Sequence, residues 1–306
     1  MAVDGFHVVT GAFGYTGRYL TQRLLAKGIA VKTLTDHPNR PNPFGGRVTT
    51  TPFNFDRPEA LAKSLEGASV IYNTYWVRFT HGAATFDQAV ENTKTLVRAA
   101  EQAGVPRLVH VSIANADSTS HLPYYRGKGL LEEFVQASKL THAIVGPTVI
   151  YSVEDVLINN IAWMVRRFPV FGLPGDGAYG IQPIFVEDMA DLMVEAGSRM
   201  DNMQIDAVGP EIFTFEELVR LIARKLNRNV VLMRLPPGLA LLASQAIGLL
   251  VNDVVLTKEE VDGLMAGLLV SKKPPPGTTK LSEWLTANAD KVGMKYASEL
   301  GRHFNK

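Results

Sequence analysis

The chain has 306 residues, 46% of them apolar, and its 31 Lys and Arg against 30 Asp and Glu leave a net charge of +1. That apolar share builds one large domain or two smaller ones and excludes wholesale disorder. The balanced charge offers no footprint for nucleic acid, and the lack of cysteine excludes disulfides, thiolate nucleophiles and Cys-ligated metal.

The first 150 residues alternate between strand-like and helix-like patterns. Phe6 to Thr10 reads as a strand, Gly17 to Lys27 as a helix with Leu20, Leu24 and Leu25 on one face, and Ala30 to Thr35 as a second strand. His37 to Gly46 is a proline-rich loop and Val48 to Phe55 a third strand. Pro58 to Glu66 is a helix that opens on proline and stops at Gly67. Val70 to Thr74, a long helix over Thr85 to Ala103, and the strand Arg107 to Ser112 follow. A helix over Tyr124 to Ser138 and a strand over Ala143 to Tyr151 complete the series. Such alternation needs crossover connections, and therefore a Rossmann-type α/β doubly wound parallel sheet with helices on both faces.

Beyond Tyr151 the rhythm changes. A helix is expected over Val153 to Arg167, then a turn-rich loop in PVFGLPGDGAYG. A strand and helix lie within Pro183 to Ala196, and Met203 to Val208 reads as a last strand of the sheet. Thr214 to Leu226 is a helix opened by a Thr214–Glu217 capping box. The tail is mostly helical and is broken at KKPPPGTT. Residues 1–152 are thus expected to form the nucleotide-binding domain, with about 181–208 returning to it. Residues 153–306 form a small, mostly helical C-terminal substrate lobe and extension.

The fourteen apolar residues Gly238 to Val251 fall short of the roughly 20 that a membrane span needs. They read as a buried or subunit-facing helix, with a membrane-surface or lipid-tail contact as the sharper alternative. The N-terminus lacks the basic start of a secretory leader, so a cytoplasmic location is expected. The seven histidines show no ligand spacing, so no metal site is expected.

Gly11, Gly14 and Gly17 fall at the first strand-to-helix turn, in TGAFGYTG. There a G-x-x-G-x-x-G pattern gives a tight turn, close backbone approach to a pyrophosphate, and close helix–strand packing. Free N–H groups of the helix then meet the phosphates. Asp36, 19 residues after Gly17, closes the second strand, where a carboxylate accepts from ribose hydroxyls and repels a 2′-phosphate. Arg18 and Arg40 argue for that phosphate instead. The balance leans to NAD over NADP.

Tyr124 and Lys128, in YYRGKG, stand four apart on one helix face. An ammonium beside a phenol favours the phenolate, which suits the tyrosine to proton transfer. Ser112 ends the fifth strand, 12 residues before Tyr124, where its hydroxyl could orient a carbonyl. Trp76 and Tyr75 are candidate walls of the nicotinamide pocket. Arg78, His81 and His121 are weaker candidates for substrate contact, and Glu187-Asp188 reads as a helix cap.

TGAFGYTGRYL, FNFDRPEAL, VENTKTLVRAAEQAGVPRLVHVS, LPYYRGKGLLEE, GPTVIYS and IQPIFVEDMADL together resemble the short-chain dehydrogenase/reductase superfamily. The likeness, over roughly residues 5 to 235, is to its extended and atypical branch. That branch includes NAD-dependent epimerase/dehydratase proteins, NmrA-like proteins and NDUFA9-like complex I subunits. The resemblance implies an NAD(P) cofactor held by Gly11, Phe13, Gly14, Tyr15, Gly17, Asp36, Asn54, Phe55, Thr74, Tyr75, Lys128, Pro147 and Val149. It implies Tyr124, Lys128 and Ser112 as catalytic residues of an oxidoreductase acting on a carbonyl, a secondary alcohol or a sugar-type substrate. An epimerase or dehydratase would use the same parts. Ala114 stands where the branch usually has an active Ser or Thr, with Asn115 and Ser118 as nearby substitutes, and Gly146 stands where it has arginine. These departures, with the apolar tail, support an alternative: a non-catalytic NAD(P)-binding sensor or assembly factor. A homodimer is a further expectation from the resemblance.

Overall fold

The computed structural model describes residues 5–37, 40–82 and 84–303. Pro38 and Asn39 of the expected loop lie outside the described residues. Two compact units form, one from Met1–Gly146 with Met189–Ile205 and one from Pro147–Asp188 with Asp206–Lys306.

In chain order the first unit opens with β1 (Phe6–Thr10), α1 (Tyr15–Ala26), β2 (Val31–Leu34) and β3 (Val48–Thr51). Then come α2 (Pro58–Leu65), β4 (Ala68–Asn73), α3 (Phe86–Gln102), β5 (Arg107–Val111), α4 (Pro123–Gln136) and β6 (Thr141–Pro147). The helices begin and end where local chemistry dictates. Thr85 accepts from the Gln88 N–H and so starts α3, Pro123 takes the first turn of α4, and Gly28 and Gly104 turn left-handed past the ends of α1 and α3. Leu20 and Leu24 bury one face of α1, and Ala89, Leu96 and Ala100 one face of α3.

The chain continues through β7 (Val149–Tyr151), α5 (Ile158–Arg167), β8 (Val170–Pro174), β9 (Gly180–Ile181), β10 (Pro183–Phe185), α6 (Val186–Ser198) and β11 (Met203–Ala207). It ends with β12 (Phe213–Thr214), α7 (Phe215–Lys225), β13 (Val231–Leu235), α8 (Pro237–Val251), α9 (Lys258–Met265), α10 (Leu281–Ala287) and α11 (Glu299–His303). Seven strands form the central sheet in the order β11-β6-β5-β4-β1-β2-β3, and neighbours from β3 through β6 pair in parallel. This is the expected Rossmann-type sheet. Its order reverses between β1 and β4, and a crevice opens at the carboxyl ends of strands at such a point.

Val8, Leu34, Ile71, Leu108 and Ile144 carry the core along the strands, with Leu61, Leu65 and Leu96 packed on them. Each such fully buried side chain contributes about 1.5–3 kcal/mol. At the other end of the sheet Arg107 is 0% exposed. Its guanidinium donates to the carbonyls of Ala196 (2.7 and 3.1 Å) and Asp201 (2.8 Å). In the second unit Tyr151, Ile158, Leu173, Leu218 and Ile222 centre a separate core.

Several expectations for the second half need correction. The helix after Tyr151 starts at Ile158, five residues later than the apolar pattern suggested. The Asp155 carboxylate accepts from the Ile158 and Asn159 N–H groups and holds the preceding residues in a turn. The presumed loop over 169–180 contains β8, which pairs in parallel with the unforeseen β13. Glu187 and Asp188 do lie in the first turn of α6, but the Asp188 carboxylate also accepts from Thr278 N, Thr279 N and Thr279 Oγ1 and so clamps the proline-broken tail. The apolar helix is α8, but only its small residues Ala240, Ser244 and Gly248 are buried. Leu249 and Leu250 are 87% and 77% exposed.

Candidate functional site

The β1–α1 turn is fixed by its own backbone. Gly11 has φ +69°, donates to the Leu34 carbonyl at 3.0 Å and accepts from Gly14 N at 2.8 Å. The Ala12 N–H donates to Thr33 Oγ1 at 3.0 Å, and that hydroxyl donates on to the Val9 carbonyl. At Gly17 a Cβ would stand 2.2 Å from the Gly11 carbonyl oxygen, so the residue must be glycine for α1 to start against the turn. Gly14 is the N-cap and carries no side chain to cap the helix. Phe13 leans on Phe44 (6.5 Å) and Tyr15 on Tyr19 (6.1 Å) at the flanks.

Across the sheet's switch point Thr10 Oγ1 donates to Asn73 Oδ1 at 3.1 Å and accepts from Thr74 N at 2.7 Å and Tyr75 N at 3.0 Å. Thr74 Oγ1 in turn donates to the Thr10 carbonyl. Asn73 Oδ1 also accepts from Tyr75 N, so its amide nitrogen must be the group that donates to His110 Nδ1 at 3.0 Å. His110 is therefore the Nε2–H tautomer. Burial first, then the neighbouring Lys128, hold it neutral and push it down to about 3.

Asp36 ends up exposed beyond β2. Desolvation first, and then the nearby Asp56, raise its carboxyl above the ordinary value, while His37 and a backbone N–H of Phe53 oppose that rise. Phe53 and Phe55 stack at 4.7 Å, and Tyr75 lies 5.2 and 5.3 Å from them. The Tyr75 hydroxyl accepts from Asn92 Nδ2 at 2.8 Å. Asn54 turns left-handed at φ +50° and accepts from the Arg57 guanidinium. Asp36 acts electrostatically on Tyr75, so the carboxylate and the aromatic group share one neighbourhood. Pro147 and Val149 fall in the second unit, where Val149 pairs with Pro183.

The Tyr124–Lys128 face of α4 holds an unforeseen partner. The Trp76 indole lies on it, edge-on to Tyr124 at 5.9 Å, with Lys128 Nζ 4.3 Å from the ring centroid. Lys128 is 2% exposed and donates to the Val111 carbonyl at 2.8 Å. Desolvation pulls its pKa down from 10.5 to about 7, against the opposing pull of Glu132. Burial thus favours the neutral amine, which weakens the expected pull on the Tyr124 phenol. Ser112 is 1% exposed; its N–H donates to Val145, and its Oγ finds no partner among the described residues. It joins no accessible surface with Tyr124. Ala114 is buried, and the Ser118 hydroxyl is taken up by Glu133. Nor could Gly146 be arginine in this backbone, because its Cβ would stand 2.7 Å from the Ile113 carbonyl oxygen.

These residues fit a dinucleotide. A Cβ at Gly17 would meet the Gly11 carbonyl, so α1 starts tight against the turn, and its first N–H groups are uncapped by side chains. Among the described residues no group of three His, Asp or Glu could hold a metal. No helix among them is long and apolar enough to cross a membrane.

Residues 11–160 match the family described as NAD(P)H-binding, and an NAD(P)-binding domain lies over that stretch. NADH dehydrogenase (ubiquinone) 1 alpha subcomplex subunit 9, mitochondrial, of Arabidopsis thaliana is 26% identical over 86% of this chain and 70% of its own length. The NADH-ubiquinone oxidoreductase 40 kDa subunit, mitochondrial, of Neurospora crassa is 23% identical over 74% of this chain and 62% of its own. The chain thus spans under two thirds of the second relative. Among solved structures, MoeE5 in complex with UDP-glucose and NAD has a TM-score of 0.69 at 18% identity, covering 94% of this chain and 98% of that one. That likeness is one of fold.

Proposed function

We propose that this chain, a relative of the extended and atypical short-chain dehydrogenases/reductases, holds a nicotinamide dinucleotide without turning it over, as a redox sensor or assembly factor. The diphosphate rests on the amides between Gly11 and Gly17, and Asp36 accepts from the adenosine ribose. The acidic pairing of Asp36 with Asp56 supports NAD over NADP, since a 2′-phosphate would add charge beside two carboxylates. The cofactor's chemistry, when bound, is hydride transfer at its nicotinamide ring.

The observation that carries the non-catalytic reading is the state of the proton machinery. Ser112 is buried and Ala114 offers no hydroxyl, so neither position presents a donor to a carbonyl oxygen. Exposed Leu249 and Leu250 on α8 support a protein partner rather than a small substrate as the chain's counterpart. A cytoplasmic site and a homodimer belong to the same proposal; the two relatives named above are mitochondrial.

A second reading is favoured by one observation: Tyr124 and Lys128 do meet a common ring on one face of α4. It makes the chain an oxidoreductase in which Tyr124 hands a proton to a carbonyl oxygen. NADH and NADPH oxidation over a panel of carbonyl compounds and sugar nucleotides separates the two. Holding predicts tight binding and no oxidation by the parent or by Tyr124→Phe. The oxidoreductase predicts measurable oxidation that falls by a factor of at least ~100 in Tyr124→Phe while NAD(H) affinity stays put.

A further inference from the structure

Trp76 follows β4, and its indole is held on three sides. Phe86 stacks on it at 6.0 Å with the planes 16° apart, Tyr124 meets it edge-on, and the Lys128 ammonium lies over its face. Its fourth contact is a gap in another residue. A Cβ at Gly127 would stand 3.0 Å from the ring's Cη2, so the indole can rest on α4 because position 127 has no side chain. The fit is nevertheless incomplete. The Nε1–H is out of solvent and has no acceptor among the described residues, so it gains a hydrogen bond whenever the ring swings out to water. Thr74 and Tyr75 are pinned to Thr10 and Asn73, whereas Trp76 and Val77 beyond them have no regular structure.

We propose that Trp76 is a displaceable cover over Lys128. It closes the nicotinamide-ribose side of the first unit's site, so that a whole dinucleotide binds only with the indole swung out, whereas a ligand ending at the ADP-ribose moiety binds with it in place. This rests on the dinucleotide reading above. A ribose hydroxyl that takes a hydrogen bond from the Lys128 ammonium needs the space over that ammonium, which the ring now fills. The Gly11 to Gly17 turn and Asp36, which serve the ADP half, are not among the ring's contacts. A closed cover lowers the apparent affinity for the dinucleotide by the fraction of molecules that are open.

The test compares two ligands on three proteins by calorimetry: ADP-ribose, and whichever of NADH and NADPH binds the parent more tightly. The proteins are the parent, Trp76→Ala, which removes the cover, and Gly127→Ala, which keeps the indole but puts a methyl where it rests. Both variants should bind the dinucleotide more tightly by roughly fivefold or more while ADP-ribose changes by less than about twofold. Reductive dimethylation read by mass spectrometry gives a second signal. Lys128 should be protected in the parent, modified rapidly in both variants, and protected again in the variants once dinucleotide is bound. Dinucleotide affinity that falls in both variants makes Trp76 a stacking platform and overturns the proposal. So does a change shared equally by the two ligands, or a Lys128 that is already reactive in the parent; each of these leaves the dinucleotide reading standing. Failure of the parent to bind either ligand overturns both.

Discussion

Gly17→Ala should cost the protein its dinucleotide affinity, raising Kd on the order of a hundredfold or more, equivalent to ~2.7 kcal/mol. The added Cβ would lie 2.2 Å from the Gly11 carbonyl oxygen, 2.9 Å from its carbon and 3.2 Å from Ala12 Cα. All three are backbone atoms, and none is free to yield. Gly11 is bonded through its N–H to Leu34 and through its carbonyl to Gly14. The start of α1 must therefore retreat, and it takes with it the amides that face the diphosphate. Each charge-assisted hydrogen bond lost costs about 1.5–3 kcal/mol, so loss of two is enough. Overpacking should lower stability by about 1–3 kcal/mol at the same time. Gly28→Ala is the control. It strains a left-handed φ of +76° but meets nothing within 4 Å, so stability should fall while binding is kept. Calorimetry on both variants decides the matter: a Gly17→Ala protein that binds like its parent removes the diphosphate from this turn.

That turn was legible in the sequence because glycine states its reason openly: Gly11 takes a left-handed φ of +69° and Gly17 leaves no room for a Cβ. The alternation that set out the sheet was legible for a similar reason, since a parallel strand buried on both faces must be apolar along its length, as Val8, Ile71 and Leu108 are. Other residues carry no such mark. Arg107 reads as an ordinary polar residue opening a strand, yet it is fully buried, because carbonyls some 90 positions away satisfy it. Strand β13 was missed because it lies at an edge and its pattern does not alternate; Val231 and Met233 are 67% and 49% exposed. Ser112 was placed at the correct strand end, but whether a hydroxyl at a strand end faces water depends on what covers it. The same limit applies to α4. Spacing put Tyr124 and Lys128 on one face, but the choice of Trp76 as occupant of that face depends on Gly127, whose role shows only when the ring is seen against it.

Lys128→Met should make the protein more stable near neutral pH and flatten its response to alkali. In the parent, burial lowers the Lys128 pKa from 10.5 to about 7. Between those two values the unfolded chain holds a proton at this lysine that the folded chain has released. Stability therefore rises with pH across that window, and below about pH 7 the folded protein bears the whole cost of a buried ammonium. A shift of this size is worth on the order of 5 kcal/mol. That is a ceiling, since the Trp76 face and the Val111 carbonyl both favour the charged form and give part of it back. Methionine keeps the length of the side chain and removes the charge. Urea unfolding at pH 6.5 and 9.5 should then show the parent gaining up to about 3 kcal/mol more than the variant over that interval. A difference near zero, beyond the ~10–15% error of extrapolation, would mean that the lysine stays an ordinary ammonium under the indole. The cation–π contact would then be strong enough to hold the cover shut against any ribose, and the holding reading would have to place the whole nicotinamide half of the ligand elsewhere.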